Sequence, residues 1–245
     1  MRPDLELELE YYKQCLKDNN VNKIAIDYLN SRNIEQRTVD FWEIGYCPIG
    51  CVPPNFNKDD TYKPFEKMYG RIIFPIRNSN GELISLSGRL IVPDGRPKYD
   101  HYSFPSRKIL FGLYQNKNNI RNKNKCIITE GQIDVITSWQ KGLDIVTSSF
   151  GAHCSLEHFA ILSRYTNNVD ILYDNDNAGK EGTKNIKSFS THGNLNINYK
   201  TNIFPKGEDL DSYLSKNDLN KLYDLLDDNK LLKNKLNLIK RQLRS

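Results

Sequence analysis

The stretch CIITEGQIDVITSWQKGL, residues 126–143, ends an apolar run on a glutamate and a glycine, then opens a helical pattern with an aspartate in its first turn. Short apolar runs bounded by turn residues read as buried strands. Glu130, at the end of this one, is badly placed for packing and well placed for chemistry. A second stretch, VDILYDNDNAGKEG (169–182), repeats the design with Asp174 and Asp176 after another apolar run.

Around these two stretches the pattern alternates: strand (125–129), helix (132–141), strand (144–148), helix (155–164), strand (169–173) and helix (178–188), with a further strand over 197–204. Such alternation predicts a parallel α/β sheet. Ligands of open parallel sheets bind at the carboxyl ends of the strands, where the strand order reverses. Glu130 and Asp174 both fall at such ends, with room between them for two crossover units. Aspartates separated by one residue in extended chain can point the same way. Three carboxylates converging there would repel one another unless a cation sat between them, and hard oxygen ligands favour Mg²⁺ or Mn²⁺. A D-x-D pair is also what a helix cap looks like, and so are Asp209 and Asp211 in FPKGEDLDSYL (204–214).

The first half reads differently. Residues 5–17 and 21–31 have helical spacing, and 39–52 turn toward strand with Phe41, Trp42, Ile44 and Tyr46. Residues 51–65 carry prolines and polar residues and read as a surface loop. The stretch GRIIFPIRNSNGELISLSGRLI (70–91) reads as two strands joined at NSNG, with a loop after it. Residues 71–108 hold seven basic residues (Arg71, Arg77, Arg89, Arg96, Lys98, Arg107, Lys108) against three acidic ones. That segment alone can account for most of the chain's formal charge of +5, and it suits a surface that meets phosphates. Tyr99, Tyr102 and Phe104 interleave with these charges. The polar stretch NIRNKNK (119–125) reads as a link. The domains expected are therefore a basic N-terminal unit over 1–122, a parallel-sheet unit over 123–214 and a helical tail over 215–245. The class is α/β in the second half and α+β overall.

With 38% hydrophobic residues, no run near the ~20 apolar residues of a membrane span and no signal-peptide core, the chain of 245 residues reads as a polar cytoplasmic protein. Its five cysteines do not suggest a disulfide framework. Cys47 and Cys51 have the spacing of half a zinc site, but no second pair completes it, so no zinc is expected.

Several separated motifs occur in order, and together they resemble the DnaG-type primases of the Toprim superfamily. TEGQIDVI, SSFGAH and YDNDNAG are similar to the Toprim core, and PKGEDLDSYL to the segment that follows it. GRIIFPI, SLSGRL, RPKYD and KILFGLY resemble the region preceding Toprim, and AIDYLNSRNIEQRT its opening. There are departures: Asn175 stands where a glycine usually separates the D-x-D aspartates, as in phage helicase–primases, and His101 where asparagine is usual.

The resemblance implies a primase catalytic core that copies single-stranded DNA into short RNA primers from ribonucleoside triphosphates, encoded by a phage or similar mobile element. It implies Asp174 and Asp176 as Mg²⁺ or Mn²⁺ ligands, with Asp209 or Asp211 assisting. Glu130 completes the metal site or transfers a proton; Asp134 stands behind the site or is simply a first-turn helix residue. Arg71, Arg89 and Lys98 would hold nucleotide or template. No zinc ribbon precedes residue 1 and no helicase-binding domain follows residue 245, so a replicative helicase or zinc-ribbon protein would act in trans. The rivals are a Toprim nuclease using the same carboxylates and a non-catalytic nucleic-acid-binding protein on a primase scaffold.

Overall fold

The computed structural model describes residues 4–56, 61, 63–174, 195–200, 203–205 and 207–227. The chain forms two compact units, Met1–Tyr114 and Gln115–Ser245.

The first unit opens with α1 (Leu5–Lys17), whose start is fixed by Asp4: its carboxylate accepts the N–H groups of Glu6 (3.1 Å) and Leu7 (3.2 Å). Leu9, Tyr12 and Leu16 recur at helical spacing and are buried. Two shorter helices follow, α2 (Lys23–Ser31) and α3 (Gln36–Phe41). The sheet runs β1 (Gly45–Cys47), β2 (Arg71–Arg77), β3 (Leu83–Leu90) and β4 (Tyr99–His101), antiparallel throughout and in that spatial order. The expected hairpin is β2–β3, and its NSNG turn closes as Asn78 Oδ1 accepts the N–H groups of Asn80 and Glu82, with Gly81 at φ +99°. Helix α1 lies so near β1 that a side chain at Gly45 would come within 2.7 Å of Tyr12 Cβ. Leu9, Tyr12, Cys47, Met68, Ile73 and Leu86 form the core between them.

Two expectations for this unit need correcting. Phe41 ends helix α3 instead of entering a strand, which begins only at Gly45. The loop after the hairpin contains the three-residue β4, paired to Ser87–Arg89. Both elements are too short for periodicity to announce them.

Helix α4 (Leu113–Lys123) replaces the expected polar link. Its anchors are Ile120, fully buried, and Asn116, whose Nδ2 donates to the carbonyl of Val146 (2.8 Å). Leu113, its first residue, is buried as well, but two buried apolar residues and one amide give little amphipathic signature.

The second unit alternates as expected: β5 (Cys126–Thr129), α5 (Gln132–Gln140), β6 (Val146–Ser148), α6 (Leu156–Leu162), β7 (Asn168–Ile171) and β8 (Asn196–Tyr199). Its strands are all parallel, in the order β6-β5-β7-β8. Helices α7 (Leu210–Lys216) and α8 (Leu219–Leu226) follow. The helix expected over 178–188 and the end of the helical tail lie outside the described residues. No helix among the described residues is long and apolar enough to cross a membrane.

Candidate active site

The strand order places the site. After β5 the chain crosses to β6 on one side, then returns past β5 to lay β7 on the other. The two crossovers run to opposite sides of β5, so the strand order reverses between the carboxyl ends of β5 and β7, which is where ligands of such sheets bind. Glu130 follows β5 directly, and Asp174 follows β7 by two buried residues, Leu172 and Tyr173. The structure joins them: the Asp174 N–H donates to Glu130 Oε1 at 2.9 Å. Residues 44 apart in sequence thus meet across the reversal.

The backbone of Glu130 is held as firmly. Ser148 Oγ donates to the Glu130 carbonyl (2.6 Å) and accepts the Phe150 N–H (3.1 Å), while the Gly151 N–H donates to the same carbonyl (2.9 Å). Phe150 has φ +60°, a conformation that a bulky residue adopts only when its surroundings impose it. Ser148 and Phe150 were not among the site residues expected from sequence; SSFGAH had no signal beyond its resemblance.

Asp134 is buried behind this pair. Its Oδ2 accepts the Gly131 N–H (3.1 Å) and its Oδ1 the Asp211 N–H (3.2 Å). A side chain at Gly131 would come within 2.9 Å of Asp134 Oδ2, so glycine is what lets the carboxyl reach the turn. Burial, then the charges of Asp209 and Asp174, push the Asp134 carboxyl well above the usual carboxylate range, against the opposing effect of the Asp211 N–H. Asp134 thus ties the β5–α5 turn to the start of α7.

Asp209 does what a helix cap does. Its Oδ1 accepts the Ser212 N–H (2.8 Å), and Ser212 Oγ accepts the Asp209 N–H (2.9 Å). Asp211 lies in the first turn of α7, 8% exposed. Asp176 falls outside the described residues. Among the described residues no three His, Cys, Asp or Glu side chains converge to hold a metal ion. The donor chemistry nevertheless suits a divalent cation: the Glu130 carboxylate lies against the Asp174 backbone, the candidate donors are all oxygen, and three neighbouring carboxylates raise Asp134.

The basic residues of the first unit are less available than their number suggests. Arg71 is fully buried, its guanidinium donating to the carbonyls of Lys67 (2.8 Å), Gly88 (3.2 Å), Pro97 (2.9 Å) and Lys98 (3.3 Å). It fixes the backbone beneath Lys98 and is enclosed within the unit rather than presented at its surface, where a contact role was expected. Arg77 is clamped by Glu6 and Glu43, and Arg96 by Asp94. Arg89 is 8% exposed, with Tyr99 Oη 2.8 Å from its Nη1 and the rings of Tyr28 and Tyr99 at 5.6 and 5.2 Å. Arg32 lies against Tyr28 at 5.9 Å. Neither Tyr28 nor Arg32 was expected here, because their helix precedes β3 by more than fifty residues. Lys98 is exposed.

Residues 54–117 match the family of the DNA primase catalytic core, N-terminal domain, and residues 127–214 match the Toprim-like family. The DNA primase of Staphylococcus epidermidis is 30% identical over 239 residues, covering 87% of this chain and 39% of its own length. Other curated DNA primases are likewise covered over 35% to 41% of their length, so the chain spans about two fifths of these relatives. A DNA primase domain from Pseudomonas aeruginosa superposes with a TM-score of 0.79 at 25% identity, over 91% of this chain and 76% of that one. A DnaG primase catalytic domain bound to single-stranded DNA superposes with a TM-score of 0.74 at 25% identity, over 89% of this chain and 77% of that one. The chain thus carries a DNA primase catalytic-core N-terminal domain followed by a Toprim-like domain, in the order and with the fold of DnaG catalytic cores.

Proposed function

We propose that this chain is a primase catalytic core that joins ribonucleoside triphosphates into short primers on a single-stranded DNA template. The observation that carries the reading is the bond from Asp174 N–H to Glu130 Oε1, which holds the Glu130 carboxylate against the backbone of Asp174 at the strand-order reversal of a Toprim sheet. Toprim primases are metal-dependent as a family. Glu130, Asp174 and Asp176 would hold Mg²⁺ or Mn²⁺, which when bound neutralises triphosphate charge and favours ionisation of the primer 3′-hydroxyl.

The chain's own residues do the rest. Ser148 and the 148–151 loop fix the backbone of Glu130, so that its carboxylate presents a fixed charge or accepts a proton from the attacking hydroxyl. Asp134 holds the β5–α5 turn and the start of α7 in place, keeping Asp211 near the crevice. In the other unit Arg89, set between Tyr28 and Tyr99, and Lys98, on a strand edge braced by Arg71, supply positive charge for nucleotide or template phosphates. Single-stranded DNA as the template is supported by the bound state of the related catalytic domain.

The test is synthesis of labelled oligoribonucleotides on single-stranded DNA with Mg²⁺ or Mn²⁺, comparing wild type with Asp174→Ala. Short products that the substitution abolishes are the expected result. Cation-dependent cutting of the template without synthesis would instead assign the nuclease reading.

A further inference from the structure

Cys47 and Cys51 take no part in the nucleotidyl-transfer site, yet the fold sets their sulfurs 3.5 Å apart. Cys47 ends β1 and is fully buried in the core of the first unit, beside Tyr12 and Met68. The chain then turns through Pro48, Ile49 and Gly50, closing with a bond from the Cys51 N–H to the Pro48 carbonyl (3.4 Å). Gly50 has φ +78°, which glycine adopts without strain, and that lets the turn fold Cys51 back onto Cys47. Cys51 is only half-buried and lines an open cavity of ≈ 450 Å³ with Tyr11, Gln14, Cys15 and Ile49. One sulfur of the pair is therefore open to a small reagent, and the other is in contact behind it.

We propose that Cys47 and Cys51 form a redox-modifiable dithiol, oxidised to an intrachain disulfide by exchange with a small disulfide of the glutathione class. The inference is independent of the primase reading. Cys51, as thiolate, attacks one sulfur of glutathione disulfide, forms a mixed disulfide and releases one glutathione thiolate. Cys47 then gives its proton to that thiolate or to water and attacks Cys51 Sγ, displacing the second glutathione. Two electrons pass from the protein to glutathione disulfide, which becomes two thiols.

The local geometry says what moves. The sulfurs must close to the ~2.05 Å of a disulfide bond. Cys47 is held in the sheet by pairing with Arg71 and by the Gly70 N–H on its carbonyl (2.8 Å). The adjustment therefore falls on the 48–51 turn, which is tied down by Tyr69 Oη donating to the Cys51 carbonyl (2.9 Å). Cys47 is fully buried while Cys51 lines the cavity, so the first attack belongs to Cys51 and Cys47 resolves. Disulfides of this kind in a reducing compartment are transient and sensing, not structural.

The test treats the full chain with oxidised glutathione and reads intact mass and a non-reducing peptide map. Wild type is expected to lose two hydrogens reversibly and to yield a Cys47–Cys51 cross-linked peptide. Cys47→Ser should accumulate one glutathione on residue 51, and Cys51→Ser should leave Cys47 unmodified while folded. The wild-type map decides the matter even where a serine variant fails to fold. A wild-type chain that stops at the mixed disulfide, or links Cys15 to Cys51, would overturn the proposal. So would zinc that copurifies with wild type and is lost in Cys47→Ser, which would make the thiols metal ligands. Priming activity is not read, so the primase reading stands or falls separately.

Discussion

The core of the first unit and the candidate site of the second handle buried charge in opposite ways. In the first, each buried charged group is answered on the spot: Arg71 by backbone carbonyls, Glu8 by the hydroxyls of Tyr12 and Tyr102, Arg77 by Glu6 and Glu43. In the second, like charges are gathered, and the side chains whose charges raise the Asp134 carboxyl are other carboxylates. An answered charge serves the fold. A crowd of one sign costs stability and is kept where a ligand of the other sign completes it. Substitutions in the two units should therefore fail differently.

The largest separation is expected at Glu130. Glu130→Gln retains an oxygen that can accept the Asp174 N–H, so the unfolding midpoint should change little. Primer synthesis should fall by roughly 10³-fold, the scale of losing a transition-state electrostatic contact. Denaturant unfolding and primer yield measured on the same preparation check this. Full activity in Glu130→Gln would show that the hydrogen bond, not the charge, is what the residue supplies.

Arg71 should show the reverse. Arg71→Leu leaves four carbonyls, those of Lys67, Gly88, Pro97 and Lys98, without their shared donor. Unsatisfied buried acceptors make a loss of about 3 kcal/mol the expected cost, read by urea unfolding. Arg71→Lys should restore only part, because an ammonium cannot span the guanidinium's fork. A stable Arg71→Leu that merely binds template weakly would return Arg71 to a contact role.

That residue also shows where sequence stops being informative. The parallel sheet and its acidic strand ends were legible because each is written in a local run: CIITEG and VDILYD carry their strand and their carboxylate together. Arg71 and Arg89 both lie on resemblance motifs, and nothing local distinguishes the cation that is swallowed by carbonyls from the one held between two rings. That difference depends on β4 and the 97–98 backbone folding over β2 and β3, a long-range event. The same applies to Ser148, which is an unremarkable strand-end serine until β6 lies beside β5. Helix α4 escapes notice for the opposite reason, since it buries only Leu113, Asn116 and Ile120 and its remaining surface is largely polar.

Glu8 offers a gentler probe of the first unit. It is fully buried, and burial raises its carboxyl above the usual value despite the tyrosine hydroxyls that oppose the shift. The folded state thus keeps a proton that the unfolded chain releases, and stability falls as pH rises from the unfolded carboxylate value of ~4.3 toward the folded one. Glu8→Gln keeps an acceptor for both hydroxyls and removes the titration. It should flatten this slope and raise stability on the alkaline side, measured by urea unfolding at a series of pH values. An unchanged slope would mean that Glu8 stays ionised inside the core.

The smallest effects are expected at the edge of the first unit, where charge is both held and offered. Tyr99→Phe keeps the ring over Arg89 and removes only the hydroxyl within bonding distance of Nη1. Losing one such bond should weaken single-stranded DNA binding about threefold. Because Arg89 keeps its charge, the dependence of affinity on salt should not change. Lys98→Ala removes an exposed cation and should lower the salt slope by about 0.7, the value of one phosphate contact on a single strand. Fluorescence anisotropy across a salt series separates the two: a parallel line for Tyr99→Phe and a shallower one for Lys98→Ala. If both lines stay parallel to wild type, Lys98 meets no phosphate. The first unit would then act on DNA through positioned rings and guanidinium alone, and its charge, like that of Arg71, would serve the fold.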